Sequence, residues 1–296
     1  MKIIRSFING KFVSNLTGTY VDVLNPATEE VIAREVQSSA ADVEAALSAA
    51  RAAQPSWERL PAVERGVYLH KIADGIRQRA DELTNVIVAE GGKTKDLARI
   101  EVMFTADYLD YQAEWARRYE GEIIQSDRPR ENILLFKRPL GVIGGILPWN
   151  FPFFLIARKA GPALVTGNTI VIKPSSLTPI NCEIFCEIVE SVGLPAGVFN
   201  VVNGGVEVGQ ALASSKNVDM VSLTGSVGAG RAVMEAAAKN ITKVSLELGG
   251  KAPAIVLKDA DLDLAVKSII ASRAGNSGQI CNCAERVYVH NSVKDA

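Results

Sequence analysis

Cys281 lies in the run Asn276-Ser277-Gly278-Gln279-Ile280-Cys281-Asn282-Cys283-Ala284, just after a helical pattern at Leu262–Ser272. A thiol in a glycine-containing loop can be exposed and its pKa lowered, which makes a thiolate nucleophile. A lone cysteine can equally be a small buried hydrophobe. Glu247 stands among apolar neighbours in Leu246-Glu247-Leu248-Gly249-Gly250-Lys251. Desolvation would raise its pKa toward working pH, as a general base requires; an ion-paired glutamate is the other reading. Asn150 is enclosed by prolines in Pro148-Trp149-Asn150-Phe151-Pro152, which makes a rigid turn. Its amide could meet a developing oxyanion or cap the following helix.

Other segments suit a nucleotide. Lys173, in Ile172-Lys173-Pro174-Ser175-Ser176, precedes small hydroxyl residues that fit ribose or phosphate contacts. Gly225 and Ser226, in Leu223-Thr224-Gly225-Ser226-Val227-Gly228, offer close backbone approach and a helix cap facing a pyrophosphate. There is no GxGxxG run. Cys182 and Cys186 are spaced i, i+4 and are expected on the buried face of a helix. The two histidines, His70 and His290, are too far apart in sequence to point to a metal site.

These segments sit at the ends of a regular alternation. Short apolar runs at Val142–Leu147, Thr169–Ile172, Val198–Val202, Met220–Leu223 and Lys243–Leu248 are separated by helical patterns at Phe154–Val165, Pro179–Val192, Val206–Ala213 and Val227–Ala238. This reads as βαβ units on a buried parallel sheet. The fold class is therefore α/β, with a doubly wound cofactor domain whose ligands bind at the carboxyl ends of the strands. Before it, Asn9-Gly10 marks a hairpin. A helix runs from Ser39 to about Ala53, a second pattern runs from Pro61 through Val88 to Gly91-Gly92, and a third runs from Leu97 to Tyr119. Glu122–Ile124 and Ile133–Phe136 read as strands around a polar loop.

Lys+Arg 32 against Asp+Glu 33 leave a formal net charge of -1. That balance gives no field for nucleic acid or an anionic membrane. No apolar run is long enough to span a bilayer, and the start does not read as a signal peptide. The four cysteines form no CxxC pair or disulfide ladder. A cytoplasmic location is the expectation.

The stretches PWNFP, TGNTIVIKPS, SLTGSVGAGR, LELGGKAP and NSGQICNCAERVYV, in this order, resemble the aldehyde dehydrogenase superfamily. The resemblance covers essentially the whole chain. AEWARRYEGEIIQSDRP and ILPWNFPFFLIARK look most like its branch that oxidises lactaldehyde and glycolaldehyde. It implies that Cys281 attacks the aldehyde to give a thiohemiacetal, with Asn150 and the Cys281 backbone N–H holding the oxyanion. Hydride would pass to the nicotinamide of NAD or NADP, and Glu247 would activate the water that hydrolyses the resulting thioester. Lys173 matches an adenine-ribose contact, Ser226 a pyrophosphate contact, and Ile146 and Trp149 cofactor-pocket positions; no metal is implied. Arg158, with Lys159 beside it, falls at a substrate-channel position and favours a short hydroxylated or anionic aldehyde; a salt-bridged arginine is the alternative.

The resemblance also implies an organisation. Residues 1–120 and 140–249 would form the NAD(P)-binding domain, 121–139 an arm that pairs subunits of a homo-oligomer, and 250–296 the start of a catalytic domain. Many NAD-using members carry Glu at the position of Ser176; Ser there removes a charge that would repel a ribose phosphate, so NADP is expected to be accepted. The loop Val202–Glu207 is one residue shorter than its counterparts. Relatives continue beyond the position of Ala296, so the chain is expected to be the amino-terminal part of such an enzyme, inactive or poorly folded alone. A dinucleotide-binding fragment without turnover is the alternative function, and an acylating enzyme using coenzyme A a further one, which Glu247 argues against.

Overall fold

The computed structural model describes residues 1–13 and 18–296. The amino-terminal part holds β1 (Lys2–Ile4), β2 (Ser6–Ile8), β3 (Lys11–Val13), β4 (Tyr20–Leu24) and β5 (Val31–Val36). β2 and β3 form the expected hairpin; Asn9 and Gly10 both have positive φ (53° and 73°), as a tight two-residue hairpin turn requires. β5 lies between β1 and β4 in a separate three-stranded sheet.

Four helices follow: α1 (Ala40–Arg59), α2 (Ala62–Gln78), α3 (Ala80–Gly91) and α4 (Lys95–Glu114), the last running into a 3-10 turn at Trp115–Arg117. Ser39 and Asp42 make a reciprocal capping box that starts α1. α1 continues past Ala53 and through Pro55, because Trp57 is buried and donates from Nε1 to the Leu164 carbonyl at 3.0 Å. The second helical pattern is broken in two at Arg79. There the guanidinium pairs with Glu82 at 2.8 Å and with Glu187 at 2.7 Å. That break lets α3 turn onto the helix carrying Glu187.

After a β-hairpin of β6 (Glu122–Gln125) and β7 (Asn132–Leu135), the alternation begins. It comprises β8 (Val142–Ile146), α5 (Pro152–Val165), β9 (Thr169–Lys173), α6 (Ile180–Ser191), β10 (Phe199–Val201), α7 (Val206–Ser214), β11 (Met220–Gly225), α8 (Val227–Ala238) and β12 (Lys243–Leu248). The sheet order is β12-β11-β8-β9-β10-β2-β3, parallel from β12 to β10 and antiparallel at β2 and β3. The expected α/β doubly wound architecture is therefore present. Period-2 alternation divides the core. Ile143, Ile170 and Ile172 face α2, α4, α5 and α6, whereas Val142, Val171 and Val221 face α1, α7 and α8.

The remaining residues form β13 (Ala252–Val256), α9 (Leu262–Ala274), a 3-10 segment at Gly275–Gly278 and β14 (Ala284–Val289). β13 and β14 pair in parallel. Among the described residues, no helix is long and apolar enough to cross a membrane.

Candidate active site

β8 starts the alternation, yet it lies between β9 and β11. The chain thus reverses its direction of travel across the sheet beside β8, and a crevice opens at the carboxyl ends of β8, β11 and β12. A cavity of about 520 Å³ occupies it. Pro148, Trp149, Asn150 and Phe151 line it after β8, Thr224, Gly225 and Ser226 at the end of β11, and Glu247, Leu248 and Gly249 at the end of β12. Gln279, Ile280, Cys281 and Asn282 close it from the loop before β14. Three separate sequence segments therefore bring Asn150, Glu247 and Cys281 to one cavity.

Cys281 is exposed and free, while Cys182, Cys186 and Cys283 are buried. Of the two readings open for Cys281, exposure is the one observed. Its loop is held in an unusual conformation: Asn276, Ser277 and Gly278 all have positive φ (46°, 56° and 78°). Such a run stores strain and persists only when its surroundings fix it. Part of that fixing comes from Asn150. Its Nδ2 donates to the Gln279 carbonyl at 2.8 Å, and its own carbonyl accepts from Asn276 Nδ2 at 3.2 Å. Cys283 faces inward, where Arg273 Nη1 donates to its sulfur at 3.1 Å.

The alternative reading of Asn150 as a helix cap is not what the structure shows. Phe151 is the N-cap of α5, with no side-chain cap bond. The first backbone N–H groups of α5 go instead to a carboxylate from α4: Phe153 and Phe154 donate to Glu101 Oε1 at 3.0 and 3.1 Å. The other oxygen of Glu101 meets Lys93 Nζ at 2.5 Å, with both side chains essentially excluded from solvent. Lys93 also donates to the Asn150 carbonyl at 2.8 Å and lies 3.7 Å from the Phe151 ring centroid. Burial pushes the Lys93 ammonium down, and Glu101 opposes that. Sequence reasoning missed this pair. The only local signal is a lysine directly after the Gly91-Gly92 helix stop.

Glu247 corrects an expectation. Its side chain is 59% exposed, so the expected burial is absent. The reason is strand geometry: Val244, Leu246 and Leu248 pack into the core on one face of β12, and Glu247 points to the other. The apolar neighbours in sequence are not neighbours in space. Arg158 Nη2 lies 3.9 Å from Glu247 Oε1, a loose pair of two exposed side chains.

Arg158 and Lys159 part company. Arg158 lines the cavity with Cys281, but Lys159 does not. Lys159 lines a neighbouring cavity of about 410 Å³, together with Arg158 and Glu247. Its Nζ donates to Ser222 Oγ at 2.8 Å and Thr224 Oγ1 at 3.1 Å. Burial, reinforced by Arg158 and opposed by Glu247, lowers its pKa to about 8. Of the two, Arg158 alone reaches the cavity that holds Cys281, while both line the neighbouring one.

The cofactor candidates also divide. Trp149, Gly225 and Ser226 line the main cavity. Ser226 is the N-cap of α8 and accepts from the Ala229 N–H at 3.1 Å. The remaining N–H groups at this helix start are suited to an anion, and a Cβ at Gly225 would meet only side chains, the nearest at 3.5 Å. The backbone here fits close approach of a pyrophosphate. Ile146, Lys173 and Ser176 lie outside that cavity, toward α7. Lys173 is buried, donates to the Pro174 carbonyl at 2.8 Å, and has Glu35 as its opposing charge. Ser176 Oγ donates to the Gly204 carbonyl at 3.1 Å. The two groups of candidates line successive stretches of the carboxyl edge, as an extended dinucleotide requires.

Residues 12–296 match the aldehyde dehydrogenase family, and the chain belongs to that family. It is 64% identical over 290 residues to a lactaldehyde dehydrogenase of Escherichia coli (strain K12), covering 98% of this chain and 60% of that protein. A crystal structure of lactaldehyde dehydrogenase from Escherichia coli superposes with a TM-score of 0.98 at 63% identity, over 100% of this chain and 62% of the other. A 3,6-anhydro-L-galactose dehydrogenase solved in complex with NADP superposes with a TM-score of 0.95 at 42% identity, over 99% and 62% of the two chains. The chain thus spans about 60% of the length of the relatives it matches.

Proposed function

We propose that this chain carries the nucleophile, oxyanion donor and base of an enzyme that oxidises a small hydroxylated aldehyde, such as lactaldehyde or glycolaldehyde, to its carboxylate with NAD or NADP. The observation that carries this reading is the meeting of Cys281, Asn150 and Glu247 at one cavity on the carboxyl edge of the sheet. The Cys281 thiolate attacks the aldehyde carbon, and the carbonyl oxygen becomes an oxyanion. An amide NH2 carries two hydrogens; the Gln279 carbonyl takes one from Asn150, and the second serves the oxyanion together with the Cys281 N–H. The dinucleotide, when bound, supplies the hydride acceptor. Glu247 then takes a proton from the water that hydrolyses the Cys281 thioester. An exposed carboxylate has access to that water.

Ile146, Trp149, Lys173, Ser176, Gly225 and Ser226 hold the dinucleotide in this reading. Ser226 and the start of α8 take the pyrophosphate, while Lys173 and Ser176 take the adenine ribose. Arg158 sits at the cavity wall as the cation that favours a polar substrate. In the same reading, residues 1–120 and 140–249 form the cofactor domain, and 250–296 begin the catalytic one. The hairpin within 121–139 serves as an oligomerisation arm; its Ile123, Leu134 and Phe136 are exposed. The near-neutral charge and the lack of a spanning helix among the described residues fit a cytoplasmic setting with no nucleic-acid partner.

The test is a fluorescence titration with NAD and NADP beside an assay of glycolaldehyde and hexanal oxidation. Dinucleotide binding with faster glycolaldehyde turnover supports the whole reading. Binding without turnover points to the second reading, a nucleotide-binding chain that does not catalyse. That reading draws on α9, none of whose side chains is buried. In an active protein, an Arg158→Ala variant with an unchanged preference for glycolaldehyde would remove Arg158 from the substrate site.

A further inference from the structure

Glu35, near the end of β5, is fully buried. Its Oε2 accepts from Gln37 Nε2 at 2.8 Å, and among the described residues its Oε1 makes no close hydrogen bond. The groups around the carboxylate are the Ser176 hydroxyl, the Gly204 backbone N–H and the Lys173 ammonium. Glu35 therefore reaches from the small amino-terminal sheet to the ribose end of the proposed dinucleotide site. A buried carboxylate with an open oxygen is costly to keep. Burial pushes its pKa up, and Lys173, Ser176 and Gln37 oppose that push.

We propose that Glu35 supplies, from β5, the negative charge that residue 176 lacks, and that it makes this site select NAD over NADP. The proposal rests on the reading that Lys173 and Ser176 face the adenine ribose. Two effects act together. A carboxylate behind Ser176 repels a 2′-phosphate, which carries close to two negative charges, and the low dielectric screens that repulsion poorly. The Lys173 ammonium is already offset by Glu35, so it is not free to neutralise such a phosphate. A 2′-hydroxyl carries no charge and escapes both effects. Ser176 alone leads to the expectation that NADP is accepted; with Glu35 behind it, NADP becomes the weaker ligand.

Calorimetric titration of the full chain with NAD and with NADP tests this. The unaltered chain should bind NAD about tenfold or more tightly than NADP, a modest ratio for unscreened like charges. Glu35→Gln keeps the shape and removes the charge, and should narrow the ratio chiefly by improving NADP binding. Lys173→Met leaves Glu35 unopposed and should widen the ratio. It is the second variant should Glu35→Gln fail to fold by circular dichroism. Unchanged ratios in the variants, with NAD still bound by the unaltered chain, overturn the role of Glu35 alone. If the unaltered chain binds neither dinucleotide, the cofactor-site reading fails and this proposal falls with it.

Discussion

The Lys93 ammonium donates to the Asn150 carbonyl oxygen at 2.8 Å, and Asn276 Nδ2 reaches the same oxygen at 3.2 Å. One peptide group thus joins the buried Lys93–Glu101 pair to the strained loop that carries Cys281. Glu101 meanwhile caps α5 through Phe153 and Phe154. Lys93→Met should leave Glu101 buried without a counter-charge, at about 3–5 kcal/mol of stability. The double variant Lys93→Met with Glu101→Gln should recover much of that stability. It should not recover the placement of Asn150. Urea unfolding gives the first quantity, and kcat in an active protein gives the second. Recovery of both together would reduce the pair to a stability element.

Among the cysteines, only Cys281 is exposed. Brief treatment of the folded chain with iodoacetamide, followed by peptide mass mapping, should label Cys281 and spare Cys182, Cys186 and Cys283. Cys186 has a thiol pushed up by burial and by its neighbour Cys182, which lowers its thiolate fraction further. Equal labelling of all four would mean that the packing that buries Cys182, Cys186 and Cys283 does not hold in solution. The same reaction carried out after saturation with NAD should be slowed, because Trp149 and Ser226 line the cavity beside Cys281.

The alternation from Val142 to Leu248 was legible because each strand and helix there follows a simple local period. Catalytic candidates were legible as residue types at strand ends, where such sheets place their ligands. What stayed hidden depended on partners distant in sequence. Arg79 breaks a continuous helical pattern because Glu187 lies on another helix. Lys93 pairs with Glu101 and reaches Asn150, and Glu35 lies against Lys173; beyond the lysine that follows Gly91-Gly92, nothing local marks these pairings. Glu247 shows a different failure. Its apolar neighbours along the chain pointed to burial, but alternation along β12 sends them to the opposite face.

Glu247 is exposed and only loosely paired with Arg158, so its proposed part is limited to the hydrolytic step. In an active protein, Glu247→Gln should leave acylation of Cys281 intact and block release. Rapid mixing with aldehyde and NAD should show a full burst of reduced dinucleotide. Turnover after the burst should fall by about 10²–10⁴-fold, the usual contribution of a placed general base. Loss of the burst itself would assign Glu247 to an earlier step, such as deprotonating the thiol. A turnover equal to that of the unaltered enzyme would remove it from the mechanism.

Lys159 makes the pH dependence of folding a test of the packing behind the cavity. Its pKa is lowered from an ordinary lysine value to about 8 by burial first and Arg158 second. Below about pH 8 both folded and unfolded chains hold the proton, so this residue adds no slope. Between about pH 8 and 10.5 the unfolded chain holds a proton that the folded chain has released, so stability rises with pH. That lowering corresponds to on the order of 3 kcal/mol. Lys159→Met, which fills similar space without a charge, should abolish that rise and should already be the more stable form at neutral pH. Urea unfolding of both proteins across this range isolates the effect from other lysines and tyrosines that titrate there. Parallel stability curves for the two proteins would show that Ser222 and Thr224 hold the ammonium without a net burial cost.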